Sequence, residues 1–228
     1  MPTASEPTSD ECPACGGLGY IAWRDESGEL HSRECKCAVV RQNRRRIERS
    51  GLASLLDRCT FDQFQTPEPW QATAKQVAQN YVGDCLGKWF FIGGNSGAGK
   101  THLCTAICGC LMALGVPVRY LQWRADVPAI KAKVNDAEAY RDAVRPLKKI
   151  RALYIDDFLK GSITEGDRNI AFDILNDRYN DPRAITIISS ELTIDRVLEW
   201  DEAIGGRIVE RASEYTINLR GKRNWRLK

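Results

Sequence analysis

Residues 94–101 read GNSGAGKT, directly after the apolar run KWFFIG (88–93) and before a stretch of helical composition. The octapeptide meets G-x-x-x-x-G-K-[ST] at every fixed position, in the strand–loop–helix setting that the pattern requires. Glycines there let backbone N–H groups wrap phosphate oxygens without side-chain clashes, and a helix N-terminus adds a favourable dipole. The motif therefore assigns Gly94, Asn95, Ser96, Gly97, Ala98, Gly99, Lys100 and Thr101 to a nucleotide phosphate site. Lys100 is expected to reach the β- and γ-phosphates of ATP, and the Thr101 hydroxyl to ligate Mg²⁺. His102 borders this group. It is expected to make a packing or surface contact and is given no chemistry.

A phosphate loop of this kind needs an acidic partner at the end of another buried strand. RALYIDD (151–157) supplies Asp156 and Asp157. Asp156 is expected to hold Mg²⁺ through water, and Asp157 to polarise the attacking water, a role more often filled by Glu. The run AITIIS (184–189) ends in Ser189-Ser190. Ser190 there is read either as a residue that orients the water or touches the γ-phosphate, or as a cap of the following segment.

The runs VRYLQW (118–123) and YTINL (215–219) complete a set of five short apolar or β-branched segments. Helical stretches lie between them at 100–114, 137–148, 165–180 and, in pieces, 193–211. Strands alternating with helices, and apolar on both faces, predict an α/β domain with a parallel sheet covered on both sides. Cys104, Cys108 and Cys110 fall on the first of these helices and are read as small core residues.

The chain has 228 residues, 43% hydrophobic and 28% charged, with a net charge of +3. That length is enough for a full-sized core, and that charge is too small to mark a nucleic-acid binder by itself. From Arg207 onward seven basic residues face two acidic ones. This edge is compatible with phosphate contacts and equally with a solvated face. No stretch reaches the length of an apolar membrane span, and MPTASEPTSDE at the start lacks a secretory signal's apolar region, so a cytoplasmic protein is expected.

Nine cysteines in a cytosolic chain are expected as thiols or metal ligands. CPACGGLGY (12–20) and RECKC (33–37) give C-x₂-C, nineteen residues, then C-x-C. Cys12, Cys15, Cys35 and Cys37 can surround one tetrahedral Zn²⁺ in a closed structural site, with His31 as an alternative ligand. A segment this short cannot fold by burial alone, so the metal would supply its stability. The expected organisation is a disordered leader (1–11), a zinc-binding module with a basic helix (12–56), a linker (57–70) and an ATPase domain (71–228). The basic helix is expected to break at Ser50-Gly51, and Thr66-Pro67 to start the helix after the linker. The arginines at 41, 44–46 and 49 surround the helix axis and suit a solvated or partner-facing surface.

GNSGAGKT, YIDDFLKGSITEGDRNIAFDILNDRYN (154–180), TIISSEL (186–192) and GGRIVERASEYTINL (205–219) together resemble the DnaC/DnaI type of bacterial and phage helicase loaders. SGLASLLDRCTFDQF (50–64) is similar to the segment preceding the ATPase domain in that family. The resemblance runs from about residue 35 onward. It implies an AAA+ ATPase that loads a hexameric replicative helicase onto single-stranded DNA. The alternative it implies is a transposition helper of the related IstB type, acting on duplex DNA and a transposase. It also implies that Arg207 reaches the ATP of a neighbouring subunit, so that hydrolysis waits for self-association. Arg211 is its possible assistant, and local pairing of both arginines with Glu210 or Glu214 is the competing reading. Only RGKRNWRLK follows the last strand, which implies the form without a C-terminal helical lid. The linker around Phe61 and Phe64 would then close the adenine pocket. The N-terminal module would grip the helicase, and Lys131, Lys133, Lys148 and Lys149 are candidate DNA contacts.

Overall fold

The computed structural model describes residues 12–49 and 52–221. The leader, the Ser50-Gly51 break and the basic residues Lys222, Arg223, Arg226 and Lys228 lie outside the described residues, as do the side chains of Arg44, Arg46 and Arg49.

The described chain begins with an antiparallel hairpin, β1 (Tyr20–Arg24) and β2 (Leu30–Glu34), followed by α1 (Lys36–Arg49), α2 (Ala53–Leu56) and α3 (Pro69–Asp84). Strands and helices then alternate: β3 (Trp89–Gly94), α4 (Lys100–Ala113), β4 (Val118–Gln122), α5 (Trp123–Lys131), α6 (Ala137–Lys149), β5 (Ala152–Phe158), α7 (Glu165–Tyr179) and β6 (Ile185–Ser190). The helices α8 (Ile194–Trp200) and α9 (Glu202–Arg211) lead to β7 (Thr216–Leu219). Strands β3 to β7 form one sheet of order β4-β5-β6-β3-β7, and every neighbouring pair is parallel. The order reverses around β3, and at such a reversal an open parallel sheet leaves a ligand crevice at its strand C-termini.

Each central strand feeds two cores, because successive side chains leave a strand on opposite faces. Phe90 and Ile92 of β3 join one cluster with Leu103, Ile107 and Tyr154, while Trp89 and Phe91 join a second with Ile155, Ile174 and Ile188. Helices α2, α3 and α4 cover the first face, and α5 to α9 cover the second. Burial of each large side chain contributes about 1.5–3 kcal/mol, which is why these strands read as unbroken apolar runs. Leu52, Phe61 and Phe64 belong to the first core, so α2 and the segment after it pack onto the ATPase sheet.

The helix after this segment starts later than Thr66-Pro67. Pro69 occupies its first turn, and Glu68 and Gln71 form a capping box in which the Glu68 N–H donates to Gln71 Oε1 at 3.0 Å. Pro69 has the φ that a first helical turn requires, and Glu68 meets the orphan N–H groups. Helix α5 lies outside the expected helical stretches, and its first residue, Trp123, belongs to the apolar run 118–123 read as a strand.

Arg178 of α7 is wholly buried. It donates to the carbonyls of Leu147, Lys148, Ile150, Arg151 and Ile185 and to Thr186 Oγ1. Burial pushes its pKa down to about 10. One guanidinium thereby satisfies backbone acceptors at the end of α6 and the start of β5 and β6, and anchors α7 on the sheet.

Candidate nucleotide site and cysteine cluster

The phosphate loop follows β3, and its glycines are required by shape. Gly94, Gly97 and Gly99 take φ of 129°, 73° and 86°, in the left-handed half of the map. A Cβ on Gly94 would stand 2.7 Å from Leu219 O, and one on Gly99 would stand 2.8 Å from the Phe64 ring. Lys100 opens α4 and is 7% exposed. Its ammonium donates to Gly94 O at 2.8 Å and Asn95 O at 2.9 Å, and among the described residues it has no ion-pair partner. Burial lowers its pKa. A buried cation that meets only carbonyl oxygens is a receptor for an anion.

Asp156 and Asp157 sit where the β5–β6 register shifts between Ile155 and Phe158. Such an irregularity re-aims side chains at a strand end. Asp156 is 4% exposed and accepts from four hydroxyls: Tyr154 at 2.7 Å, Tyr120 at 2.8 Å, Thr101 at 3.3 Å, and Ser189. These bonds fix its orientation beside Thr101. Asp157 has a φ of 53° and Leu159 one of 59°. Two non-glycine residues in that region store strain of about 1–3 kcal/mol each, and both flank the site. The Asp157 N–H donates to Ser189 Oγ at 3.2 Å, and its carboxylate pairs with Lys160.

Two cavities flank the loop and share Gly97, Gly99 and His102. One, of about 340 Å³, is lined by Ser96, Lys100, Thr101, Asp157, Lys160 and Glu191, with Leu55 and Cys59. The other, of about 290 Å³, is lined by Gln63, Phe64, Gln65, Pro67, Gln71 and Ala98. The first has the charges for a phosphate tail, and the second has the aromatic wall for a base. Between them the His102 ring nitrogen Nε2 meets Thr60 O at 2.8 Å, and the ring stands edge-on to Phe64 at 5.1 Å. His102 fastens the linker to the phosphate-loop helix.

Arg207 and Arg211 lie on α9 against α7, away from both cavities. Arg207 donates to Ala203 O at 2.7 Å and Asn176 Oδ1 at 2.9 Å, and sits over the rings of Phe172 and Tyr179. Arg211 donates to Gly87 O at 3.2 Å and to Tyr179 O. Neither pairs with a carboxylate among the described residues: Glu210 accepts from Tyr179, and Glu214 is held by Lys88.

The four N-terminal thiols converge. Cys12 and Cys35 Sγ are 3.8 Å apart, Cys15 and Cys37 Sγ are 3.3 Å apart, and all four sulfurs lie within 4.8 Å of one another. Gly16, Gly17 and Gly19 take left-handed φ in the turn between Cys15 and β1. The Gly19 N–H on its sulfur holds Cys15 down at about 6, whereas the shared hydrogen bond with Cys15 pushes Cys37 up to about 12. His31 is not part of the cluster. Its ring meets Asp25 at 2.7 Å and stacks on Trp23. The hairpin itself buries almost nothing, since Leu18, Tyr20, Trp23 and Leu30 are all exposed.

Against known families, residues 26–213 match the model of the IstB-like ATP binding proteins. The chain belongs to the DnaC/DnaI/IstB-like AAA+ ATPase family. It is 30% identical to the uncharacterized protein YqaM of Bacillus subtilis (strain 168), over 90% of this chain and 70% of that one. It is 26% identical to the replicative helicase loader DnaC of Escherichia coli (strain K12), over 86% of this chain and 80% of that one. A crystal structure of the DnaC helicase loader shares its fold with a TM-score of 0.59 at 18% identity, covering 71% of this chain and 96% of that one. Family membership implies ATP hydrolysis. No helix among the described residues is long and apolar enough to cross a membrane.

Lys100, Thr101 and Asp157 line one cavity, and the buried Asp156 stands behind it on the Thr101 hydroxyl. Ser190 is buried, donates to Phe158 O at 2.8 Å and accepts from the Leu192 N–H at 3.0 Å. Its hydroxyl is thus committed to backbone, and the hydroxyl on Asp156 is that of Ser189. Sequence reasoning also passed over Tyr154, Tyr120, Lys160 and Glu191. Tyr154 stands two residues before Asp156, hence on the same strand face, a signal that was available. Glu191 directly follows the β6 strand end. Of the four candidate DNA lysines, Lys131, Lys148 and Lys149 are engaged by Asp167, Asp173 and Asp177.

Proposed function

We propose that this protein is an ATP-dependent loader that places a hexameric replicative helicase on single-stranded DNA. The observation that carries the ATPase half is the buried Lys100 ammonium, which has carbonyl partners only and opens onto a cavity also lined by Thr101 and Asp157. That arrangement fits a nucleotide tail. Gly94 and Gly99 let the loop backbone pack against Leu219 and Phe64 where a Cβ would clash, and the adjoining cavity walled by Phe64 suits the base.

The roles follow from the geometry. Loop N–H groups and Lys100 bind the phosphates. Thr101 and the hydroxyl-fixed Asp156 would hold Mg²⁺, which supplies charge neutralisation at the phosphates when bound. Asp157, at the cavity wall, accepts the proton of the attacking water. Arg207 touches neither cavity of its own subunit, so it acts on the ATP of a neighbour in a self-associated ring or spiral. Cys12, Cys15, Cys35 and Cys37 fit Zn²⁺, because four sulfurs already cluster where the hairpin has no apolar core to hold it. The zinc-braced module grips the helicase. In the same reading the linker segment around Phe64 covers the base.

A second reading is favoured by the IstB-like description of the family match: a transposition helper that assembles on duplex DNA and activates a transposase. One experiment separates them. Recruitment of a purified hexameric helicase to protein-coated single-stranded DNA is measured with ATP, using wild type and Lys100→Ala. The loader reading expects recruitment by wild type only. No recruitment by wild type, with ATP-dependent assembly on duplex DNA, supports the helper instead.

A further inference from the structure

The segment after the Asp pair folds back on itself. The Lys160 N–H donates to Asp157 O at 3.0 Å, closing a turn through the left-handed residues Asp157 and Leu159. The turn delivers the Lys160 ammonium to two carboxylates that come from different strand ends. It lies 3.1 Å from Asp157 Oδ2, near the end of β5, and 3.1 Å from Glu191 Oε1, directly after β6. All three side chains line the same cavity as Lys100 and Thr101. Lys160 is only 27% exposed, so the pair of contacts is partly shielded from solvent.

This arrangement is unusual for a pocket that receives polyanions. Asp157 and Glu191 bring two negative charges to it, and Lys160 offsets one of them. In the arrangement described, the carboxylate assigned to the water is occupied by an ammonium. A terminal phosphate, with about two negative charges and three acceptor oxygens, is a stronger partner for that ammonium than either carboxylate. The β-phosphate belongs to the loop and Lys100. Lys160 lines the same cavity as Lys100, from the ends of β5 and β6.

We propose that Lys160 is the sensor that distinguishes a nucleoside triphosphate from a diphosphate. With a triphosphate the ammonium leaves Asp157 and Glu191 for the terminal phosphate oxygens, and the Asp157 carboxylate becomes free to take a proton from water. With a diphosphate it stays latched. Lys160 is a binding and positioning residue, and Glu191 is the arm that holds it back. The inference rests on the ATPase reading above.

The test is calorimetric titration of the full chain with Mg²⁺ and either ADP or a non-hydrolysable ATP analogue. Wild type, Lys160→Ala, Lys160→Arg and Glu191→Gln are compared. Lys160→Ala is expected to bind the ATP analogue about tenfold more weakly, the scale of one hydrogen bond to a charged group, with ADP changed by less than about threefold on the same scale. Lys160→Arg retains the discrimination. Glu191→Gln shifts it the other way, tightening the ATP analogue relative to ADP. Equal changes for both nucleotides in Lys160→Ala, or weaker ATP-analogue binding in Glu191→Gln, overturn the sensor while leaving the ATPase intact. Failure of wild type to bind either nucleotide overturns both.

Discussion

Arg207 Nη2 donates to Asn176 Oδ1 at 2.9 Å, and the same guanidinium lies 4.8 Å from the centre of the Phe172 ring. An arginine held by an amide and aromatic faces presents its planar fork, and among the described residues it meets no carboxylate. Its partners on α7 line neither nucleotide cavity.

Arg207→Ala should therefore bind ATP with wild-type affinity while turnover of the assembled protein falls by about 10³-fold. Nucleotide titration and steady-state phosphate release check this. Unchanged turnover excludes the trans role. Arg211→Ala should cost less in turnover and more in stability, since Arg211 spans to the Gly87 carbonyl before β3.

Phe64 walls the cavity beside Gly99 and meets His102 edge-on. Phe64→Ala should weaken ATP by about 1–2 kcal/mol, the scale of a lost aromatic contact, and leave inorganic tripolyphosphate binding unchanged. Competition with a fluorescent ATP analogue measures both. Equal weakening of the two ligands places the base elsewhere.

The cysteine cluster predicts one zinc per chain. Cys12→Ser, or removal of metal with a chelator, should release that zinc and unfold the hairpin, whose exposed Tyr20, Trp23 and Leu30 offer no core to replace it. Trp23 fluorescence and metal analysis report the two events. Full zinc in Cys12→Ser contradicts a four-thiol site.

Arg178→Met should cost about 3–5 kcal/mol, because the carbonyls of Leu147, Ile150 and Ile185 lose their donor while remaining buried. The midpoint of urea unfolding reads the loss. A shift below about 1 kcal/mol, the range of surface substitutions, would mean that α7 is held by its apolar face alone.

The central strands β3, β5 and β6 were readable because they are buried along nearly their whole length, and the edge strands β4 and β7 from short apolar or β-branched runs that still expose Arg119, Gln122 and Asn218. GNSGAGKT was readable because its glycines answer to backbone geometry in one contiguous stretch. What escaped was set by tertiary contact. Helix α5 runs through Pro128 and is stabilised by Trp123, Val127 and Ile130 against the second core. The exchange of Ser189 for Ser190 at Asp156 follows from strand register, since neighbouring residues on β6 face opposite sides, and two adjacent serines give no pattern to choose between. Lys160 and Glu191 are separated by thirty residues that include α7 and β6. Only the pairing of β5 with β6 brings their segments together.

The most direct measurement of the loader reading is native mass spectrometry of this protein mixed with the hexameric helicase of its host or phage. It is run with a non-hydrolysable ATP analogue, with the full chain and with residues 1–50 removed. A discrete complex that forms with the full chain and is lost on truncation is the predicted result. A wild-type protein that leaves the helicase unbound, yet forms ordered oligomers on duplex DNA, would contradict it.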